Sequence, residues 1–314
     1  MLLLGKRNLI LLLAALSFAG VCFAQFSAET SLVVLHASVT DKKGHLIKGL
    51  QQKDFKVFEN GNQQPIKIFK HEDVPVSMGL LIDDSGSMRD KRARVEAAAL
   101  ALVRASNPQD EVFVVNFNDE AYLDVPFTND QKKMEQGLSR IDSRGGTAMR
   151  DAINMSIDYV KKRGKNDKKV LIVVTDGNDN ASGASLETVV QRSMKSEVLI
   201  YAVGLLQEEQ RHEAAKAKRA LKELTTATGG LAFYPKEVSQ ISGLALQIAS
   251  DIRSQYTLAY TPPGPDDGSY RQIKVECDAP GHPQVRTRSG YYAKSMKPAP
   301  SENAAPASGD NGLE

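Results

Sequence analysis

Met78-Gly79-Leu80-Leu81-Ile82-Asp83-Asp84-Ser85-Gly86-Ser87 is the stretch on which the fold turns. Positions 78–82 are apolar without alternation, the pattern of a strand buried on both faces. The run then breaks into two acids, two serines and a glycine. Helical spacing follows at Val95, Ala98, Ala99, Leu102 and Val103. The same grammar continues downstream. Strands are expected at 112–117, 170–175 and 198–203, and helices at 131–141, 148–162, 208–227 and 238–252. Strands alternating with helices imply a mostly parallel sheet covered on both faces, so residues 76–252 are expected to form an α/β domain.

The flanks are different. In 31–69, Val33, Leu35, Ala37 and Val39 alternate with Val34, His36, Ser38 and Thr40, the period of a half-buried strand. Asn60-Gly61 is a hairpin signal, because both residues tolerate positive φ. The expected hairpin joins 55–58 to 66–69. After Tyr256 the β pattern returns, with strands expected at 256–260, 271–277 and 284–292. Either end alone would make a marginal sheet. Segments 25–75 and 253–293 are therefore expected to build one small β-sandwich into which the α/β domain is inserted.

Composition removes several function classes. Of 314 residues, 41% are hydrophobic and 25% charged, as in a folded globular protein. Lys plus Arg number 40 against 38 Asp plus Glu, so no basic excess points to nucleic acid. Two cysteines and five scattered histidines support neither a disulfide framework nor a thiolate or imidazole metal site. Residues 1–24 read as a signal peptide. Lys6 and Arg7 open it, and the apolar run at 9–21 is shorter than the ~20 residues a spanning helix needs. Cys22 and Ala24 put small residues before a cut that leaves Gln25 first. An uncut anchor is the alternative; lipid attachment at Cys22 is disfavoured by bulky Val21. Cleavage removes Cys22 and leaves Cys277 alone, so the mature chain forms no internal disulfide. The expected product is exported, periplasmic or secreted, without a transmembrane span. Residues 294–314, rich in Pro, Ala, Ser and Asn, are expected to be a disordered tail.

The chemistry concentrates where buried strands end. In an open parallel sheet, ligands bind beyond the carboxyl ends of the strands. Asp83, Ser85 and Ser87 alternate there, and Gly86 permits the sharp turn. Gly145-Gly146-Thr147 precedes a helix and adds a hydroxyl. Thr175-Asp176-Gly177 ends the other fully buried strand and adds a second carboxylate. Asp83, Ser85, Ser87, Thr147 and Asp176 thus offer only oxygen, the donor set of Mg²⁺, Mn²⁺ or Ca²⁺ and not of zinc or copper. Two carboxylates under-coordinate such an ion, which leaves room for water or an incoming carboxylate. Helix capping is the bland alternative for the first triplet. Asp84 is expected to be a solvated neighbour, and Asp151 a first-turn residue that complements its helix dipole. Tyr256, Tyr260, Tyr270, Tyr291 and Tyr292 are expected to pack in strands, Cys277 to be an ordinary strand residue, and 208–222 to be a solvated helix face.

At these residues the sequence resembles the von Willebrand factor type A domain, whose metal-ion-dependent adhesion site reads Asp-x-Ser-x-Ser, then Thr, then Asp. All five positions are filled here, in order. The resemblance covers about 76–252 and implies a Rossmann-like core with Mg²⁺ at its upper edge, bound by the serines, threonine and aspartates directly or through water. Residues 50–58, Thr228-Gly229-Gly230 and Gly290-Tyr291-Tyr292 resemble the bacterial VWFA-related acidobacterial domain proteins.

Enzyme signatures are missing: the chain has no phosphate-binding Gly-x-x-x-x-Gly-Lys-Ser/Thr and no Gly-x-Ser-x-Gly elbow. The expectation is a non-enzymatic module whose cation captures an Asp or Glu of a protein ligand. The alternatives are an envelope scaffold whose metal only stiffens loops and, last, a hydrolase.

Overall fold

The quoted run forms the strand Val76–Asp83, in which every residue is buried. The computed structural model describes residues 32–138, 143–206 and 211–294. The signal peptide, nearly all of the expected tail (295–314), and the ends of two expected helices at 139–141 and 208–210 lie outside the described residues.

In chain order the elements are β1 (Val33–Thr40), β2 (Phe55–Glu59), β3 (Asn62–Gln64), β4 (Ile68–Lys70), β5 (Val76–Asp83), α1 (Arg92–Ala105), β6 (Glu111–Phe117), β7 (Ala121–Thr128), α2 (Gln131–Leu138), α3 (Met149–Arg163) and β8 (Lys168–Thr175). They continue with α4 (Leu186–Ser196), β9 (Leu199–Gly204), α5 (Arg211–Thr228), β10 (Ala232–Phe233), α6 (Ile241–Arg253), β11 (Tyr256–Tyr260), β12 (Tyr270–Cys277), β13 (Gln284–Arg286) and β14 (Gly290–Tyr292).

The central sheet has the order β10-β9-β8-β5-β6-β7 and is parallel except for β7. Side-chain alternation along its strands divides two cores. Met78, Leu80 and Ile82 of β5 face α1, α2 and α6. Leu81 faces α3, α4 and α5 on the other side, with Phe113, Leu171 and Ile200. Gly79 is small for a reason: a Cβ there would lie 2.4 Å from the Phe113 ring and 2.7 Å from a Leu171 methyl.

Two features of this sheet go beyond the sequence pattern. Strand β7 is an antiparallel edge strand. The connection from β6 is too short for a crossover, and edge position accommodates Pro126. Helix α4 is capped by the Ser185 hydroxyl, which accepts from the Thr188 N–H at 3.2 Å.

Strands from both ends of the chain pair in two antiparallel sheets, β13-β1-β11-β4 and β14-β12-β2-β3. They share a core of Val33, Leu35, Ala37, Val57, Tyr256, Leu258, Ile273 and Tyr291 among others. The hairpin expectation needs correction. Asn60 (φ 48°) and Gly61 (φ 81°) do form the turn, but β2 pairs with Asn62–Gln64, Glu59 opposite Asn62. Pro65 follows, which donates no ladder hydrogen bond. The chain then crosses to the other sheet, where Phe69 pairs with Leu258.

Candidate metal centre

Strand order reverses beside β5: the chain goes outward to β6 and β7, then returns to β8 on the other flank. The loops after β5 and β8 therefore lie at the switch point, the place where open α/β sheets bind ligands. Register sets the first contact. Ile82 lies beside Val174, so Asp83 stands level with Thr175. The Thr175 hydroxyl donates to Asp83 Oδ2 at 2.5 Å, and the Ser85 N–H to Asp83 Oδ1 at 2.9 Å. The Ser85 and Ser87 hydroxyls are 3.1 Å apart, and Ser87 Oγ donates to Asp176 Oδ1 at 2.8 Å. Four of the five expected residues therefore stand in one hydrogen-bonded network that bridges the ends of β5 and β8.

Thr147 joins from a third loop. The Gly86 N–H donates to the Gly145 carbonyl at 3.4 Å, which ties that loop to the Asp83 loop. The Thr147 hydroxyl is 3.8 Å from where a Cβ on Gly177 would stand, next to Asp176. Thr147 is buried, and among the described residues its hydroxyl has no hydrogen-bond partner. Ser87, by contrast, is exposed, so the network opens to solvent on that side.

The loops are held from behind by residues that the motif does not name. Gly145 takes a left-handed φ of 75°, and a Cβ there would lie 2.2 Å from the Asp119 carboxylate, which accepts the Gly146 N–H at 2.7 Å. Asn180 Oδ1 accepts the Thr147 N–H at 2.8 Å. Asp151 accepts the Gly183 and Ala184 N–H groups at 2.8 and 3.1 Å, so it anchors the loop after β8 besides opening α3. Asp179 accepts from Arg150 at 2.8 Å and from the Ser182 hydroxyl at 2.7 Å. Asp84 is a correction. It is not solvated but 2% exposed, and it accepts from Tyr122 at 2.9 Å and Ser143 at 3.0 Å. A second acid directly after Asp83 must point away from it, here into the flank of the sheet.

Charge at the centre is unevenly compensated. Burial raises the Asp83 carboxyl to about 6; its bonds from Thr175 and Ser85 oppose the rise, and Asp176 adds to it. Asp176 is paired with the Lys91 ammonium, whose side chain is largely buried. Lys91 also donates to the Ser87 carbonyl at 3.4 Å. Sequence reasoning missed this lysine, whose place one turn beyond Ser87 was the available signal. A divalent cation fits the donor set of two carboxylates and three hydroxyls, of which the Thr147 oxygen is free of hydrogen bonds among the described residues. Among the described residues no group of three or more His, Cys, Asp or Glu could hold a metal, so hydroxyl participation is essential to any such site.

The remaining expectations concern packing. Tyr256, Tyr260 and Tyr291 are buried in the sandwich, and Tyr270 packs against Tyr292 with the rings tilted by 58° and their centroids 5.4 Å apart. Cys277 is a free, half-buried strand residue. The described part of α5 alternates a buried face at Ala217, Leu221 and Leu224 with charged exposed positions.

Residues 78–178 match the family model of the von Willebrand factor type A domain. Calcium-activated chloride channel regulator 1 of Equus caballus is 28% identical over 173 residues, 52% of this chain and 18% of that protein. Integrin alpha-11 of Mus musculus is 34% identical over 105 residues, 31% of this chain and 9% of that protein. This chain thus spans less than a fifth of the length of either relative. Among solved structures, von Willebrand factor type A from Catenulispora acidiphila superposes with a TM-score of 0.50 at 13% identity, covering 83% of this chain and 75% of that one. Proximal thread matrix protein 1 from the mussel byssus gives 0.50 at 15% identity, covering 62% and 51%. Those two likenesses concern the fold. Residues 78–178 thus match a von Willebrand factor type A domain, and the fold is the Rossmann-like α/β fold of that domain, with a mostly parallel sheet that brings the ends of β5 and β8 side by side.

Proposed function

We propose that this chain is an exported, non-enzymatic binding module in which a divalent cation, held by Asp83, Ser85, Ser87, Thr147 and Asp176, captures an Asp or Glu of a protein partner. The convergence of these residues from three loops at the switch point carries the reading. Domains of this type generally mediate protein–protein interactions. The all-oxygen donor set selects Mg²⁺, with Mn²⁺ or Ca²⁺ as substitutes. When bound, the cation supplies a fixed positive charge with open positions for a carboxylate oxygen. The protein residues set where that charge stands: Ser87 lies at the exposed side, and Asp119, Asn180 and Asp151 hold the loops around it. Export rests on residues 1–24, and among the described residues no helix is long and apolar enough to cross a membrane. The acidobacterial group fits this reading.

Selection from a random heptapeptide display library in Mg²⁺, with elution by EDTA, tests it. Recovered peptides should carry a fixed Asp or Glu, and Thr147→Ala should recover none. Peptides without an acid, or retained through EDTA, would contradict the proposal.

One observation favours a second reading. The Lys91–Asp176 pair gives the centre a cation of its own, as a scaffold whose upper loops need only be stiffened would require. On that reading Asp176→Ala lowers Tm and leaves partner binding intact; lost binding with an unchanged fold excludes it.

A further inference from the structure

A cavity of about 730 Å³ lies at the other end of the central sheet, where the first residues of β8 and β9 meet the β1–β11–β4 face of the sandwich. Its walls are of two kinds. Val34, Ile68, Val198 and Leu199 give apolar surface, and Val34 is 37% exposed although it is paired with Ala259 near the start of β1. Lys70, Lys165, Lys168, Lys169 and Arg288 face two acids, Asp167 and Glu197.

The buried basic groups are incompletely matched. Arg288 is 7% exposed, and its Nη1 donates to Glu197 at 3.1 Å. Its Nε and Nη2 are buried and meet no acceptor among the described residues. Buried donors in folded proteins nearly always have one. Lys168 is 4% exposed and donates at 2.5 Å to the Ile252 carbonyl, a neutral group; burial pushes its ammonium down to about 8, and the more distant Asp251, Asp73 and Asp110 oppose the drop, so it keeps its charge at neutral pH. His36 shares the wall. Burial, then the nearby Lys168 and Arg288, push its imidazole down to about 3, so it adds no charge at neutral pH. The cavity is thus roomy, half apolar and positive at its buried end, the makeup of a small-molecule site with one anchoring charge.

We infer that this cavity binds a small amphiphilic anion, its carboxylate or phosphate head at Arg288 and Lys168 and its apolar body along Val34, Ile68 and Leu199. The site is separate from the metal centre and needs no cation.

Calorimetric titration with decanoate and decyl phosphate, each below its micelle concentration and in EDTA, tests the inference. Decanol and decyltrimethylammonium serve as controls. At least one anion should bind one-to-one, at least tenfold more tightly than both controls; the tighter of the two identifies the head group. Arg288→Met should weaken that anion at least tenfold. Because Arg288 also holds Glu197, the rim variant Lys70→Glu/Lys165→Glu is made in parallel. Both lysines are exposed, so the fold is kept, and anion affinity should fall several-fold with decanol unaffected. Absence of saturable binding by either anion overturns the inference. So does equal binding of the controls, or an unchanged affinity in the rim variant.

Discussion

His36 gives the sharpest consequence at the scale of one residue. Its ordinary value is 6.5, and in the fold it drops to about 3, first through burial and then through Lys168 and Arg288. Between those values the unfolded chain holds a proton that the folded chain refuses. The contribution of neutral His36 is therefore complete above pH 6.5 and is lost as pH falls toward 3, at up to ~1.4 kcal/mol per pH unit. His36→Gln should flatten the stability profile between pH 6.5 and 4, measured by urea unfolding; an identical slope in the variant would refute this. Not every residue was equally legible. Asp83, Ser85, Ser87, Thr147 and Asp176 stand out because strand ends and glycine turns fix where their side chains gather. Asp84 does not, because its partners Tyr122 and Ser143 come from segments 38 and 59 residues away.

At the scale of elements, two glycines should respond oppositely. A Cβ on Gly230 would lie 1.8 Å from the Ile200 carbonyl oxygen, a backbone atom that cannot turn aside. Gly230→Ala should therefore cost at least ~1–3 kcal/mol by forcing α5 and β10 away from β9. Gly243 is exposed in the first turn of α6 with nothing within 4 Å of its would-be Cβ. Gly243→Ala should gain ~0.4–1 kcal/mol. Thermal unfolding of the pair checks both signs, and destabilisation by Gly243→Ala would show that helix entropy does not govern that position. The elements with strong periodicity were legible: the buried strands and α1, α3 and α6. Helix α4 was missed, since its Thr188, Val189 and Val190 are β-branched and its helical state depends on packing Val189 against the sheet. The end of the Asn60-Gly61 hairpin was misplaced because the apolar 66–69 segment suits either sheet, and the long-range pairing with β11 decides between them.

At the scale of the whole molecule, the two ends of the chain are locked through one buried acid. Glu59, 3% exposed, accepts from Tyr260 at 2.5 Å and Tyr291 at 2.9 Å and pairs with Arg271 at 3.4 Å. Glu59→Leu leaves Arg271 with Asp267 at 3.8 Å as its remaining acid and takes the acceptor from two buried tyrosine hydroxyls, and should cost ~3–5 kcal/mol. Urea unfolding measures this, and a loss under 1 kcal/mol would mean that water replaces the carboxylate. That both ends join in β structure was legible from alternation in each. The seam with the α/β unit was not, because its cavity and Arg288 depend on how three sheets meet.

The central claim is that a cation completes the hydrogen-bonded network at the ends of β5 and β8. Calorimetric titration of Mg²⁺ into the protein, with Asp83→Ala as control, tests it most directly. The account predicts saturable one-site binding that disappears in Asp83→Ala while the circular dichroism spectrum is kept. Absence of binding by the wild-type protein, or equal binding by the variant, would contradict it.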